Sequence, residues 1–532
     1  MHGAPVIGEA VAGRAVVVVG SGVAGLSAAL AAAEAGAAVT LLESTSTVGG
    51  TTALSGGVAW LPANDLAAAA GFPDTPEDAR TYLRGLALGD VDEELVDTFV
   101  AGAGDTASWV QRVTEHGWVA LGYPDYHCGL PGGREGGRSL EPLPFTPTAD
   151  VAARVRPALS WRLPMTQHEI IANTLNRDVL TRRRDEGVLT MGAAVVGSLL
   201  AAVLRLGVDV RVETPVASLR RDGERVVGVT LDSGEAVDGA VVLCTGGFER
   251  DPSLARAFLR HPSPAPTGAP GATGGGLRMA MGAGAALGNM SEAWWCPAMA
   301  IPGEEIEGKP LHRLLLAERA RPGSIMVDGR GQRFANEAQN YNDVGRSLHD
   351  FDPGAFAFPR DPSWLIVDNG YRAAYPLGPL LPGEPDPDWL VRADSVEELA
   401  SAIDVEADRL VATVSAFNAG AIVGEDPAFG RGRSAYDRFV GDRRLDQPNL
   451  RPLTQSPFFA VRVLPGTLGT KGGPRTDVDG RVRHVEGGVV EGLFAAGNAA
   501  ASPLGMAYPG AGGTIGPALV FGRRAGACAA SG

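Results

Sequence analysis

The segment from Gly497 to Ala518 reads Gly-Asn-Ala-Ala-Ala-Ser-Pro-Leu-Gly-Met-Ala-Tyr-Pro-Gly-Ala-Gly-Gly-Thr-Ile-Gly-Pro-Ala and sets one phenol, Tyr508, four residues before Gly512. Glycines let backbone N–H groups come close to a ligand, and a tyrosine hydroxyl adds a side-chain donor. Together they can hold a carbonyl oxygen and stabilise negative charge developing on it. A second set of residues suits a phosphate. Gly20, Gly22 and Gly25 form a GxGxxG run, with Ala24 before the last glycine, and the acid Glu43 follows about twenty residues on. Such glycines allow a tight turn and close contact with a pyrophosphate, and the acid accepts ribose hydroxyls.

These residues need particular elements beneath them. Arg14 to Gly20 is a β-branched run of the buried parallel-strand type, an Ala/Leu-rich helix is expected from Leu26 to about Ala35 with Gly36 ending it, and Ala38 to Glu43 reads as a second strand. Strand, glycine turn, helix and strand in that order make a dinucleotide site. The loop that follows, from Gly49 to Gly57, is rich in Gly, Ser and Thr. It is longer than a turn requires and suits the ribityl chain and flavin edge of FAD. Further along, Val208 to Leu219 alternates like a strand, and Arg225–Leu231 with Ala240–Gly247 reads as a hairpin.

Several motifs together resemble the fumarate reductase and 3-ketosteroid dehydrogenase flavoproteins, and within them the 3-ketosteroid Δ1-dehydrogenases. They are Gly49-Gly-Thr-Thr-Ala-Leu-Ser-Gly-Gly-Val-Ala-Trp-Leu-Pro-Ala-Asn64, Glu292-Ala-Trp-Trp-Cys-Pro297, Ala317 to Val327, Gly331-Gln-Arg-Phe-Ala-Asn-Glu337, Leu468-Gly-Thr-Lys-Gly-Gly473 and the Tyr508 segment. The resemblance runs from about residue 15 to about residue 525. It implies an α/β protein: a Rossmann-like FAD-binding domain of the two-dinucleotide-binding type, with an inserted α+β catalytic domain. The expected division is 1–290 and 462–532 for FAD and 291–461 for the catalytic domain. Besides Gly20, Gly22, Ala24, Gly25 and Glu43, the expected FAD contacts are Ser44, Gly50, Thr51, Thr52, Ser55, Gly56, Gly57, Val216, Thr245, Gly246, Gly497, Asn498, Gly513 and Ile515.

The resemblance also implies a mechanism, desaturation of a ketone beside its carbonyl. Tyr508 and the Gly512 N–H would hold the carbonyl oxygen, Tyr341 would remove the α-proton, and the flavin would take the β-hydride. A free phenol is a poor base at neutral pH, and a second tyrosine hydrogen-bonded to it would help. Tyr126 is favoured over Tyr123 for that part. Fumarate reductases place an arginine where this chain has Tyr341, and they clamp a dicarboxylate with arginine near the C-terminus. Gly497 to Gly522 contains no Arg or Lys, which argues for a neutral ketone. The readings carried forward are 1,2-desaturation of an apolar, steroid-like 3-ketone, desaturation or reduction of another cyclic ketone, and a non-catalytic FAD-binding scaffold.

Bulk properties exclude other classes. With 532 residues the expectation is about two to four domains. A formal charge of −15 argues against a nucleic-acid partner and against anionic membrane surfaces. Cys128, Cys244, Cys296 and Cys528 form no CxxC pair, so neither a disulfide scaffold nor a metal site is expected. Met1 to Glu9 lacks signal-peptide features and no transmembrane run is present, so a cytoplasmic location is expected. No second dinucleotide fingerprint follows a strand, which points to an external electron acceptor such as a quinone. His127 receives no role, Trp294-Trp295 walls a pocket or packs a junction, and Arg182 to Arg184 reads as a solvated helix face.

Overall fold

Valines 16 to 19 occupy the middle of a six-stranded sheet because both of its faces are covered, so a continuous apolar run suits them. The computed structural model describes residues 14–159, 162–262 and 264–532. The leader-free reading of Met1 to Glu9 lies outside them. The strand order is Arg481–Arg483, Val489–Ala495, Ala240–Leu243, Ala15–Val19, Ala38–Leu42 and Asp209–Arg211. All neighbours are parallel except the first pair. The second strand from the edge comes from the far end of the chain, so this half of the protein is built from both termini.

The helices Val23–Glu34, Met191–Arg205 and Ile515–Ser531 pack together against one face. Small residues permit close approach there: a Cβ on Gly522 or Gly526 would lie 2.5 or 2.0 Å from the carbonyl oxygens of Ala24 and Ala28. The opposite face is covered by a three-stranded sheet, Val216–Asp222, Arg225–Leu231 and Ala236–Asp238. This corrects the expected hairpin. Arg225–Leu231 pairs with the strands on either side of it in sequence, while Ala240–Leu243 enters the large sheet in parallel with Ala15–Val19. Its apolar residues Val241, Val242 and Leu243 are all buried, the mark of a central strand rather than a hairpin arm. The expected strand from Val208 to Leu219 is likewise two, Asp209–Arg211 and Val216–Asp222, each in a different sheet.

A seven-stranded sheet forms the second half, centred on the thirteen-residue strand Phe458–Thr470. That strand pairs with Ala293–Ile306, Ser363–Asp368, Ala265–Pro266 and Val391–Ala393. It crosses the expected boundary at 462, so its first residues and its last ones stand in one sheet. The helical pattern near Val396 to Ala419 resolves into two helices, Val396–Ala402 and Ala407–Ile422. The short helix Tyr341–Ser347 lies on the strand Ala293–Ile306, with Gly345 so close that a Cβ would stand 2.3 Å from the Cys296 nitrogen. Arg183 within the expected solvated cluster is instead half-buried, 2.8 Å from Glu169. No described helix is long and apolar enough to cross a membrane.

Candidate active site

The ends of the parallel strands converge on one crevice, the usual ligand position in such sheets. Gly20 follows Ala15–Val19, Glu43 follows Ala38–Leu42, Thr245 and Gly246 follow Ala240–Leu243, and Gly497 and Asn498 follow Val489–Ala495. Gly20 has φ +99° and its missing Cβ would fall 2.4 Å from the Cys244 carbonyl oxygen, so only glycine fits there. The helix after it starts at Val23, its Gly22 N-cap offers no side-chain bond and its first turn has no acid. The helix at Ile515 likewise has no side-chain cap at Thr514. Val23 N is taken by Thr52 Oγ1 and Gly516 N by Gly512 O, and the N–H groups of Ala24, Gly25 and Ile515 at these two helix N-termini suit a phosphate-bearing ligand. The Thr245 hydroxyl is buried with no hydrogen-bond partner among the described residues. These features fit FAD.

Glu43 is tied into the loop it anchors. One of its oxygens accepts from Ser21 Oγ at 2.5 Å and the other from Thr45 N at 2.9 Å, with Ser44 Oγ 3.3 Å away. Val216 opens the small sheet two residues after Thr214, whose N–H donates to the Glu43 carbonyl. The Gly/Ser/Thr-rich loop is partly a helix, Gly50–Leu54. Thr52 Oγ1 accepts from Val23 N, Thr51 Oγ1 accepts from Ala269 N, and Ser55 Oγ accepts from Gly57 N. Gly56 faces Gln167 and Gly57 packs against the backbone of Met191.

Five of the eight tyrosines of the chain form one buried cluster: Tyr123, Tyr126, Tyr341, Tyr436 and Tyr508. Tyr341 Oη donates to Tyr508 Oη at 2.8 Å. The Tyr126 ring meets the rings of Tyr341, Tyr508 and Tyr436 edge-on at 5.5, 5.2 and 5.1 Å. Tyr123 packs instead against Phe439 and Tyr436, with ring centres 4.6 and 6.5 Å away. Trp294 closes the cluster, 4.8 Å from the Tyr508 ring and hydrogen-bonded to Asn498 Oδ1. Trp295 points away and packs against His349 and the cluster around Phe248. The two tryptophans thus divide the two roles left open by the sequence.

The Tyr508 turn is fastened through its carbonyls. Pro509 O accepts from Tyr82 Oη and Tyr126 N, Ala511 O from Ser139 Oγ, and Gly512 O from Trp60 N. Gly512 has φ +92° and packs on the Val58–Trp60 backbone, while Gly513 packs on the Tyr508 ring. Tyr341 is held differently. It begins its helix after the Asn340 cap, and the preceding loop is locked by Arg333, which forms paired bonds with both Glu337 and Asp426. Buried Arg431 adds a bond to Glu337 at 3.2 Å. The Arg-Phe-Ala-Asn-Glu motif is therefore a brace for Tyr341.

Burial pushes the Tyr341 phenol well above its ordinary range; the Tyr508 hydroxyl adds to this and the Tyr126 hydroxyl opposes it. Tyr508 is pushed up to about 12, again by burial, with the Tyr341 and Thr514 hydroxyls acting against it. Two residues of this site had no role in the sequence reading. Tyr436 had no motif to mark it. Lys471 sat inside the Leu468–Gly473 motif: its ammonium bonds the carbonyls of Met506 and Ala507 at 2.8 and 2.9 Å and lies 4.2 Å from the Trp294 ring centre. Burial drives it down to about 7. His127 Nε2 is 2.6 Å from Asp343 Oδ2. Beside Tyr508 a cavity of about 340 Å³ opens, lined also by His127, Asp343, Arg260 and Arg346. No group of three or more His, Cys, Asp or Glu residues among the described residues suits a metal.

Known proteins resemble the chain along nearly its whole length. The FAD binding domain family matches residues 15–515. A 4-oxocyclohexanecarboxylate 2-dehydrogenase of Sinomonas cyclohexanicum is 42% identical over 96% of this chain and 92% of its own length. A 3-oxosteroid 1-dehydrogenase of Mycobacterium tuberculosis is 38% identical over 95% and 96%. The crystal structure of 3-ketosteroid delta1-dehydrogenase from Sterolibacterium denitrificans, in complex with 1,4-androstadiene-3,17-dione, superposes with a TM-score of 0.90 at 34% identity, covering 97% of this chain and 100% of that one. A glycine crevice shaped for a dinucleotide, two open helix ends and these relatives together show that the chain belongs to the FAD binding domain family, among the 3-ketosteroid dehydrogenase flavoproteins, and is an FAD-dependent oxidoreductase acting on CH–CH groups.

Proposed function

We propose that the chain introduces a carbon–carbon double bond next to the carbonyl of a ring ketone. The observation that carries this reading is the 2.8 Å contact between the Tyr341 and Tyr508 hydroxyls. A carbonyl oxygen and the hydrogen on its α-carbon lie close together in the substrate, so the groups that address them must be neighbours. Tyr508 and the Gly512 N–H hold the oxygen, and the developing enolate charge is stabilised by donors already fixed in place. Tyr341 takes the α-proton in its phenolate form, with the Tyr126 hydroxyl favouring that form. Gly20, Gly25, Thr52, Gly497 and Asn498 would hold FAD, which when bound would supply the acceptor for the β-hydride. An external acceptor, of which a quinone is one class, then takes the electrons.

The relatives act on 3-oxosteroids and on 4-oxocyclohexanecarboxylate by their names, and a six-membered ring ketone is common to both. Two substrates therefore belong under this reading, a 3-ketosteroid desaturated at its 1,2 bond and a smaller cyclic ketone. The test is anaerobic mixing of the FAD-loaded protein with saturated ring ketones. The flavin absorbance should bleach, and Tyr341→Phe should slow bleaching by about 10²–10⁴-fold, the usual worth of a general base. Bleaching within tenfold of the parent rate in Tyr341→Phe would remove Tyr341 from this role.

A further inference from the structure

Lys471 is fully enclosed, with 1% of its surface exposed. Its ammonium forms no ion pair among the described residues: Nζ donates to Met506 O at 2.8 Å and Ala507 O at 2.9 Å and sits 4.2 Å from the Trp294 ring centre. The charged groups around it are Glu292, just before the strand Ala293–Ile306, and Asp343 and Arg346 on the helix Tyr341–Ser347. Both acids are bound elsewhere. Glu292 Oε1 accepts from Arg260 and Arg346 at 2.7 and 3.0 Å, and Asp343 Oδ2 meets His127 Nε2 and Asn340 Nδ2 at 2.6 and 2.8 Å. The lysine therefore brings a charge that no contact neutralises.

Two carbonyls alone do not call for a cation. A glutamine amide would satisfy them without the penalty of an unpaired charge in the interior, and a lysine is almost never fully buried unless paired. What the position does offer is nearness to the dinucleotide crevice. Lys471 shares a wall of it with Thr470, Trp294, Asn498 and Thr514. Trp294, whose ring lies under the ammonium, donates through Nε1 to Asn498 Oδ1 at 3.0 Å. The backbone fixes the lysine there: its N–H donates to Glu292 O and its carbonyl accepts from Ser502 N, both at 2.9 Å. A hydride brings an electron pair, so its arrival leaves a negative charge on a neutral flavin ring, and charge beside that ring is one of a protein's means of tuning it. We infer that Lys471 supplies the positive charge that stabilises reduced FAD, acting as a charge and not only as a donor to Met506 and Ala507. Burial, which drives the group down to about 7, leaves it able to gain a proton when the ring becomes negative, so electron transfer and proton uptake are linked at this residue. The inference rests on the crevice as the seat of FAD and on no particular ketone.

The FAD-loaded parent is compared with Lys471→Gln, Lys471→Met and Lys471→Arg in the absence of any ketone. The readouts are the flavin potential against a reference dye and the dissociation constant of sulfite, which adds to the oxidised ring and leaves the same negative charge on it. Lys471→Gln keeps donors for the two carbonyls and Lys471→Met does not, yet both should weaken sulfite binding by about 10–100-fold, the effect of one charge across a few side-chain widths at an effective dielectric constant of about 20. The potential should fall by about 30–60 mV, a tenfold change being about 30 mV for a two-electron couple. Lys471→Arg, which keeps the charge, should stay near the parent. A parent-like potential and sulfite affinity in Lys471→Gln would overturn the inference, and so would a fall in Lys471→Met alone, which would leave the lysine as a strap for the Tyr508 turn. The parent gives a check that needs no variant: its photochemical reduction above pH 7 should draw from solvent a proton beyond the one that joins the flavin ring, and the absence of that uptake would likewise overturn it. A parent that binds no FAD would remove the crevice reading itself.

Discussion

Replacing Gly512 by alanine perturbs the proposed carbonyl site without touching a hydroxyl. The new Cβ would sit 2.5 Å from Val58 O and 2.6 Å from Trp60 N, both backbone atoms, at φ +92°. Ordinary contact begins near 3.4 Å, so the turn must retreat by almost 1 Å. The left-handed conformation costs a non-glycine residue about 1–2 kcal/mol, and the retreat strains the Trp60 N to Gly512 O bond, worth about 1 kcal/mol. The sum is about 2–3 kcal/mol of stability. A displacement of that size at an oxyanion donor costs on the order of 10²-fold in rate. Gly36→Ala is the control. Its φ is +86° and nothing lies within 4 Å of the new Cβ, so it carries the backbone cost alone. Denaturant midpoints of the FAD-loaded variants and kcat with an artificial electron acceptor measure both effects. If Gly512→Ala matches Gly36→Ala in stability and turns over ring ketones like the parent, Gly512 does not hold the carbonyl.

Because burial holds the Tyr341 phenol above its ordinary value, the phenolate fraction grows with pH; kcat/KM should climb through the alkaline range without a plateau below pH 10, and the climb should vanish in Tyr341→Phe. Glu337→Gln removes the carboxylate shared by Arg333 and Arg431 and leaves Asp426 as the one acid beside two buried cations, a loss of about 3–5 kcal/mol by urea unfolding. Those arginines also hold the Glu337 carboxyl below its ordinary value despite burial, so its contribution is complete above about pH 4.5 and disappears as pH falls through the lower folded value. For Lys471 the sign is opposite: its folded value, about 7, lies below 10.5, so the unfolded chain binds more protons between the two and stability should rise with pH there, by about 1.4 kcal/mol per unit at most. Lys471→Met should flatten that rise. It should also lower kcat, because Met506 O and Ala507 O beside Tyr508 lose their donor.

The strand–glycine–helix–strand unit was readable because each residue type there answers a local demand: valines for a sheet covered on both faces, Gly20 for a positive φ against a neighbouring backbone, Glu43 for the loop behind it. Tyr126, Tyr341 and Tyr508 could be singled out through motifs, and they stand together. Pairing partners were not readable. Alternation marks Arg225–Leu231 as a strand but is silent on which strand lies beside it, and so Ala240–Leu243 was given to the wrong sheet. Arg260, Arg346 and Tyr436 escaped for a related reason. Each stands among ordinary residues in its own segment, and only the fold brings it to the cavity or the cluster.

The six-stranded sheet has a bearing on how the protein is made. Ala240–Leu243 waits for Val489–Ala495 to pair with it, and the helix Ile515–Ser531 covers a face that the N-terminal strands have already formed. A ribosome releases the chain from its N-terminus, so residues 244–488 emerge while this sheet still has an open edge and a partly uncovered apolar side. Unpaired edges of that kind invite aggregation. Gly497 and Asn498 join the dinucleotide crevice only with this distant segment, so a chain cut before residue 489 lacks both that side of the crevice and the strand that seals the sheet.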